Sequence, residues 1–237
     1  MGFSVAFNIF TAFTRAAEAR CYTGKSLYQR GQIKSAIACY EQALRFKPDH
    51  AETHNNLGIA LMGQKRFEEA IGHYKQALRD EPESIEALYN LGVACMERGR
   101  LQEAIGCYER VLLLNHDHVD AQYHLGVVLT DQGRLPEAVR HYEQALHSNP
   151  DFAEAHFVLG GVLLQTGKVQ EAVGHCERAL HLNPNLAEAH YTLGLALTEL
   201  NRLPEAIRHY EQALHIKPDF VEAQRKLVHA RAIFNSR

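Results

Sequence analysis

The sequence predicts an all-α fold, an α-solenoid of stacked helix–turn–helix repeats with a period of 34 residues. Three observations support this prediction: prolines recur at a fixed spacing, two segments are near copies, and apolar residues within each period are spaced for helices. His116 occupies the one grid position that lacks proline. The grid prolines are Pro48, Pro82, Pro150, Pro184 and Pro218.

The grid divides the chain into six repeats and two terminal segments. Residues 134–147 and 202–215 differ only at Val139 versus Ile207, which indicates duplication. A single repeat buries too little apolar surface to fold alone, so we expect one elongated domain with capped ends. The predicted parts are residues 1–16, repeats 1 to 6 (17–50, 51–84, 85–118, 119–152, 153–186 and 187–220) and a C-terminal capping helix over 221–237.

Each repeat has signals for a turn between its two helices. Position 15 of the repeat is glycine in four repeats and Asn201 in the sixth, and both residue types tolerate the left-handed conformation at a helix C-terminus. The grid proline then ends the second helix. Because His116 removes this stop, we expect an altered turn between repeats 3 and 4.

The repeat boundaries carry a second pattern. An aspartate or asparagine precedes each new repeat and is followed three residues later by an acidic residue, which predicts a capping box. The pairs are Asp49 with Glu52, Asp117 with Asp120 (the one exception to the box pattern), Asp151 with Glu154, Asn185 with Glu188, and Asp219 with Glu222.

The N-terminal segment differs from the repeats in character. A helix over residues 1–16 would have one narrow polar stripe and a wide apolar remainder, which includes Phe3, Phe7, Phe10 and Phe13. The apolar run is too short to span a bilayer, and no basic region precedes it. The segment is therefore interpreted as a hydrophobic cap or degenerate half-repeat, with self-association to a homo-oligomer, or docking to a membrane surface or partner helix, as alternatives.

Composition limits the classes of ligand and compartment. The net charge is -3, without a polybasic surface, which excludes nucleic acid as the main ligand. The five cysteines include no CxxC pair and no disulfide framework, which favours a reducing compartment, and we expect a cytoplasmic protein.

The sequence contains no motif for catalysis. No HExxH, phosphate loop, nucleotide fingerprint or nucleophile elbow occurs. Four histidines share repeat position 23, but helix packing separates equivalent positions by about 8–10 Å, too far for one zinc ion. Clusters around His50 and His54, and around His116, His118 and His124, are interpreted as solvated polar residues. We therefore predict no enzyme, metal site or cofactor. The position-23 column is His73, His141, His175 and His209.

The repeat resembles the tetratricopeptide repeat (TPR) family. Leucine and glycine stand at positions 7 and 8, alanine at 20, tyrosine at 24, alanine at 27 and proline at 32, and the match covers residues 17–220. The departures are Thr23, Val111, Cys176 and His116. The position 7 and 8 pairs are Leu57 and Gly58, Leu91 and Gly92, Leu125 and Gly126, Leu159 and Gly160, and Leu193 and Gly194.

The resemblance implies a right-handed superhelix with a concave groove. The first helix of each repeat would line the groove through positions 2, 5, 9, 12 and 13, and the groove would bind an extended peptide or an amphipathic helix of another protein. The position 5 tyrosines also have a plain packing interpretation. The predicted groove residues are Asn55, Ile59, Met62, Tyr89, Val93, Met96, Tyr123, Val127, Phe157, Leu164, Tyr191 and Leu195.

Position 2 is acidic in every repeat. The predicted capping boxes account for most of this row, and the helix dipole also favours carboxylates near helix N-termini. Some family members bind a terminal carboxylate with a clamp of lysine, asparagine and arginine, and the acidic residues at position 2 do not fit such a clamp. Other members have a row of asparagines at position 6, of which this chain has only Asn56 and Asn90. The predicted function is a noncatalytic protein-interaction scaffold. A self-assembling structural scaffold and the substrate-recruiting part of a larger enzyme system remain alternatives.

Overall fold

The computed structural model describes the backbone of residues 2–236 and the side chains of residues 11–236. All regular structure in this part of the chain is α-helical, in thirteen consecutive helices. The predicted fold class, an all-α tandem array of helix–turn–helix repeats, is therefore confirmed. Within residues 2–236, none of the helices has the length and apolar character needed to cross a bilayer.

The chain divides into two compact halves at the boundary between His116 and Asp117. The boundary falls at the grid position without proline. The helices of the N-terminal half are α1 (Gly2–Gln29), α2 (Ile33–Phe46), α3 (Ala51–Gly63), α4 (Phe67–Asp80), α5 (Ile85–Glu97) and α6 (Leu101–Leu114).

The C-terminal half continues the same alternation of a first helix, a short turn and a second helix, and ends with an additional helix. Its helices are α7 (Val119–Asp131), α8 (Leu135–Ser148), α9 (Ala153–Gln165), α10 (Val169–Leu182), α11 (Ala187–Glu199), α12 (Leu203–Ile216) and α13 (Val221–Asn235).

The two helices of a repeat approach closely where glycine at position 8 faces tyrosine at position 24. A Cβ atom added to Gly194 would lie 2.6 Å from the Tyr210 ring, and the tyrosine is fully buried. The same contact recurs in four other repeats, and repeat 5 replaces it with Gly160 against Cys176. Glycine at position 8 therefore allows the two helices of a repeat to approach closely.

The turn between paired helices uses a left-handed residue at position 15 in every repeat. The φ angles are positive at the four glycines and at Asn201, as the sequence predicts. Repeat 2 has Lys65 in this conformation, with φ of 58°, although a non-glycine residue there costs about 1–2 kcal/mol.

The turn at His116 is not altered in the way that the sequence predicted. Helix α6 ends at Leu114, the same repeat position at which α4 ends at Asp80. In both cases the next residue donates its backbone N–H to a carbonyl four residues earlier, at 2.8 Å. Helix α6 therefore ends at the usual repeat position without proline, and the prediction of a changed turn is wrong.

The predicted capping boxes are also wrong, because each first helix begins one residue later than the sequence indicated. The N-cap residue of α3 is His50, whose Nδ1 accepts from the backbone N–H of Thr53 at 3.3 Å. The N-cap of α9 is Phe152, which has no side-chain acceptor, and Asp151 binds Arg178 at 2.6 Å instead. The acidic residues of position 2 still lie in the first turn, where the helix dipole favours them.

The N-terminal segment continues directly into repeat 1. Helix α1 runs without interruption for 28 residues, so residues 2–16 do not fold back as a separate half-repeat. The Phe13 ring lies 6.0 Å from the Phe46 ring, and both remain substantially exposed, at 48% and 38%. The side chains of Phe3, Phe7 and Phe10 lie outside the described residues.

The C-terminal helix covers the last repeat, in the place predicted for a cap. Ala223, Leu227 and Ala230 of α13 are buried, and the last two belong to an apolar cluster that includes Leu203 and Tyr210. Phe234, near the end of the same helix, remains 47% exposed.

Candidate peptide-binding surface

The first helices of the C-terminal half form a surface, here named the first-helix face (α7, α9 and α11), that contains an apolar pocket. The pocket has a volume of about 320 Å³ and lies mainly between α7 and α9. Its lining residues are Val127, Thr130, Asp131, Tyr142, Phe157, Val158, Gly161, Val162, Gln165 and Thr192.

The pocket exists because repeat 5 has no side chain at position 9. Neighbouring repeats place Val127 and Leu195 there, whereas repeat 5 has Gly161. A Cβ atom added to Gly161 would meet no heavy atom within 4 Å. The missing side chain therefore leaves space that a ligand can fill.

The floor of the pocket is apolar, and its hydroxyls are satisfied. The Tyr142 hydroxyl lies 3.1 Å from Thr130 Oγ1, which in turn donates to the Gly126 carbonyl at 2.9 Å. Burial raises the pKa of Tyr142 to about 12, although the Thr130 bond opposes this rise. The phenol is therefore neutral near pH 7, and the pocket offers apolar contact rather than a reactive group.

The structure distributes the predicted groove residues of the C-terminal half between two roles. Val127 and Phe157 line the pocket. The ring centroids of Tyr123 and Phe152 lie 4.9 Å apart, and those of Tyr191 and Phe220 are separated by the same distance. The packing interpretation therefore applies to these two tyrosines, and burial raises the pKa of both. The remaining predicted residues, which are half-buried and pack against the core, are Leu164 and Leu195.

In the N-terminal half, one predicted groove residue is buried and the others are half-buried. Asn55 is 5% exposed, and its Oδ1 accepts a hydrogen bond from Asn90 Nδ2 at 3.0 Å, which joins α3 to α5. A binding role for the half-buried set stays a prediction. This set is Ile59, Met62, Tyr89, Val93 and Met96.

Sequence reasoning missed most of the other pocket residues. The predicted groove residues were almost all large apolar side chains, and Gly161 was not among them. The sequence signal that could have identified the pocket is the glycine at position 9 of repeat 5, because the other five repeats have a side chain at this position. The unselected lining residues of α9 are Val158, Gly161, Val162 and Gln165.

The histidine column does not form a site of its own, because each of its members pairs with position 4 of the same repeat. His190 Nε2 lies 3.2 Å from the Pro184 carbonyl and must donate to it, so in a neutral ring Nδ1 accepts from His209 Nδ1 at 3.0 Å. Burial lowers the pKa of both rings, that of His209 to about 4. Equivalent pairs are His54 with His73, His156 with His175 and, with an amide in place of one ring, Gln122 with His141.

One group in the described part of the chain has the side chains for a metal ion. The ligand atoms of Cys21, His50 and Glu52 lie within 4.8 Å of one another. Glu52 is already paired with Lys25, and Asn56 donates to the Cys21 sulfur at 3.7 Å. A cation would therefore compete with Lys25. His50, which the sequence pattern groups with His54, lies beside Cys21 and Glu52.

Several solved structures have a fold similar to that of this chain. The structure of pilF from Pseudomonas aeruginosa has a TM-score of 0.81 at 18% identity and covers 92% of this chain and 99% of its own. YrrB, described as a TPR protein with an unusual peptide-binding site, has a TM-score of 0.68 at 23% identity, with 81% and 97% covered. MamA has a TM-score of 0.65 at 30% identity, with 70% and 96% covered.

A comparison with curated proteins returns no match. Among family models, the one described as the cilia and flagella-associated protein 70 C-terminal domain matches residues 6–231. The residues that define the repeat, the paired helices and the similar solved structures agree with this match. The chain therefore belongs to the tetratricopeptide-repeat family represented by the C-terminal domain of cilia and flagella-associated protein 70.

Proposed function

We propose that this protein is a noncatalytic scaffold that binds a peptide or an amphipathic helix of a partner protein on the first-helix face. The apolar pocket at Gly161 is the observation that carries the proposal. Its volume suits one large side chain, and binding pockets that accept such anchors supply much of the affinity of protein interfaces. The YrrB structure, whose description includes a peptide-binding site, supports this use of the fold.

The chemistry of the lining favours binding over catalysis. Asp131 is the one carboxylate among the lining residues, and they include no histidine, cysteine or lysine. A nucleophile beside a general base is the usual arrangement for covalent catalysis, and the one lining hydroxyl next to Asp131 in the sequence, that of Thr130, donates to the Gly126 carbonyl instead. The lining instead presents aliphatic and aromatic surface with a few satisfied hydroxyls.

Site-specific photocrosslinking in extracts of the native cell tests the proposal. A photoreactive phenylalanine analogue replaces Phe157, which lines the pocket, or Gln144, which is exposed on the second helix α8 of the same half. We expect partner proteins to crosslink at position 157 and not at position 144. Equal crosslinking from both positions, or crosslinking from position 144 alone, would place the binding surface elsewhere.

Self-association is a second candidate function, favoured by the exposed contact between Phe13 and Phe46. These two exposed aromatic rings, one on α1 and one at the end of α2, gain free energy when a second copy covers them. Light scattering after size-exclusion chromatography would compare the chain with the Phe13→Ser and Phe46→Ser double variant. A dimer that becomes a monomer in the variant supports self-association, and an unchanged mass removes it.

A further inference from the structure

We propose that the pocket at Gly161 binds the apolar anchor of a peptide whose neighbouring residues are lysine or arginine. This inference rests on the proposed function and adds the chemistry of the partner. Its basis is the charge of the first-helix face, whose three helices contain no lysine or arginine at all. Their charged residues are Asp120, Asp131, Glu154, Glu188 and Glu199.

The acidic residues at the start of these helices do not by themselves indicate a ligand. Glu154 and Glu188 lie in the first turn, where the positive end of the helix dipole stabilises a carboxylate. Glu188 also binds Lys217 at 3.0 Å. Their presence is explained by folding, so they carry no weight for the partner.

The acidic residues at the opposite ends have no such explanation. Asp131 is the last residue of α7 and Glu199 is the last residue of α11, where the helix dipole disfavours negative charge. Both side chains are exposed, and neither forms an ion pair within the described residues. Asp131 also lines the pocket. These carboxylates therefore cost folding free energy, and Asp131 does so at the candidate site itself.

The cations that follow these helices are already engaged. Arg134 forms two hydrogen bonds of 2.7 Å with Glu137, and Arg202 binds Glu205 at 2.8 and 2.6 Å. Neither arginine therefore neutralises the carboxylate of Asp131 or Glu199 at the end of the preceding helix. A ligand with positive charge beside its anchor is electrostatically complementary to this rim.

The shape of the pocket defines the anchor. Val127, Phe157 and Val162 supply apolar walls, and Gly161 leaves the base open. The volume of about 320 Å³ accommodates one leucine, methionine or phenylalanine side chain. Gly161→Val would fill this space in the way that Val127 fills it in repeat 4.

Selection from a random library of twelve-residue peptides displayed on phage provides the first test. The full chain is the bait, and Gly161→Val is the counter-bait. Gly174→Val is the matched control, because Gly174 is a helical glycine of α10 that also has open space around its missing Cβ. We expect the enriched peptides to contain one large apolar residue flanked by lysine or arginine. These peptides should still bind Gly174→Val and should not bind Gly161→Val.

The outcomes separate this inference from the proposed function. Enriched peptides that depend on Gly161 but lack basic residues would overturn the charge inference and leave peptide binding intact. Enrichment that is equal on the wild type and Gly161→Val, or no enrichment on either, would contradict the proposed pocket itself. Circular dichroism of each variant establishes that it is folded.

Synthetic peptides with the selected sequence then give the magnitudes by fluorescence anisotropy. Replacing the anchor with alanine, or using Gly161→Val, should weaken binding by about 10- to 100-fold, as expected for loss of one buried side chain. Asp131→Asn should weaken binding of the basic peptide about two- to fivefold at low salt, with a smaller effect at high salt. If Asp131→Asn and flanking-residue reversal to glutamate leave binding unchanged, the charge inference is wrong.

Discussion

The substitution Gly194→Ala tests the close contact that holds the two helices of repeat 6 together. Its Cβ would lie 2.6 Å from Tyr210 Cε1 and 2.8 Å from Cδ1, whereas nonbonded carbons pack at about 3.5–4.0 Å. The ring is fully buried, and its hydroxyl is hydrogen-bonded to Thr198 Oγ1 at 3.0 Å. It therefore cannot rotate away without loss of packing and of this bond.

The expected change in stability follows from two opposing effects. Overpacking of this kind costs about 1–3 kcal/mol. The helix gains about 1 kcal/mol when alanine replaces glycine. We expect Gly194→Ala to lower the free energy of unfolding by up to about 2 kcal/mol, the difference between these two effects.

Gly161→Ala is the matched control, because its added Cβ meets no heavy atom within 4 Å. This variant should be more stable than the wild type by about 1 kcal/mol. Both substitutions share the propensity gain, so the difference between them measures the steric overlap alone. Urea unfolding followed by far-UV circular dichroism gives the comparison. If the two variants unfold at the same urea concentration, the reasoning about the Tyr210 contact is wrong.

Two further predictions concern the turns and the histidine pairs. Lys65→Gly should raise the free energy of unfolding by about 1 kcal/mol, because glycine adopts a positive φ without strain. The reverse change, Gly99→Lys, should lower it. Urea titrations in which Lys65→Gly is not the more stable variant, or Gly99→Lys is not the less stable one, would contradict the role of the left-handed turn. Burial lowers the pKa of His209 to about 4, whereas its value in the unfolded chain is about 6.5. The stability that this neutral ring contributes is therefore fully present above about pH 6.5 and is lost as the pH falls toward 4. His190→Gln keeps an acceptor for His209, as Gln122 does for His141, and should raise the pKa of His209 in an NMR titration; an unchanged pKa would show that His190 does not contribute.

The repeat architecture was predictable from sequence because its signals are local and recur. Glycine or asparagine at position 15 indicated the left-handed turn, and the structure adopts it at every repeat. Lys65 could not be predicted in the same way, because its conformation is imposed by the helices on either side. The boundary at His116 has a different origin, since compactness depends on packing between repeats that spacing does not reveal.

The candidate site was predictable only in part. Val127 and Phe157 followed from repeat positions, whereas the pocket depends on an absent side chain at Gly161. Tyr123 packs on Phe152, which is the last residue of the same repeat and lies 29 positions later in the sequence, so its packing role could not be read from position 5 alone. The histidine pairs are 19 residues apart and meet only because the two helices of a repeat are antiparallel.

The most direct test of peptide binding on the first-helix face is an NMR titration of the valine methyl groups with the tightest peptide from the library. We expect the Val127, Val158 and Val162 resonances to shift, because these residues line the pocket. Val139 and Val169, on the second helices α8 and α10, serve as controls and should not shift. Shifts confined to Val139 and Val169, with the pocket valines unchanged, would contradict peptide binding on the first-helix face.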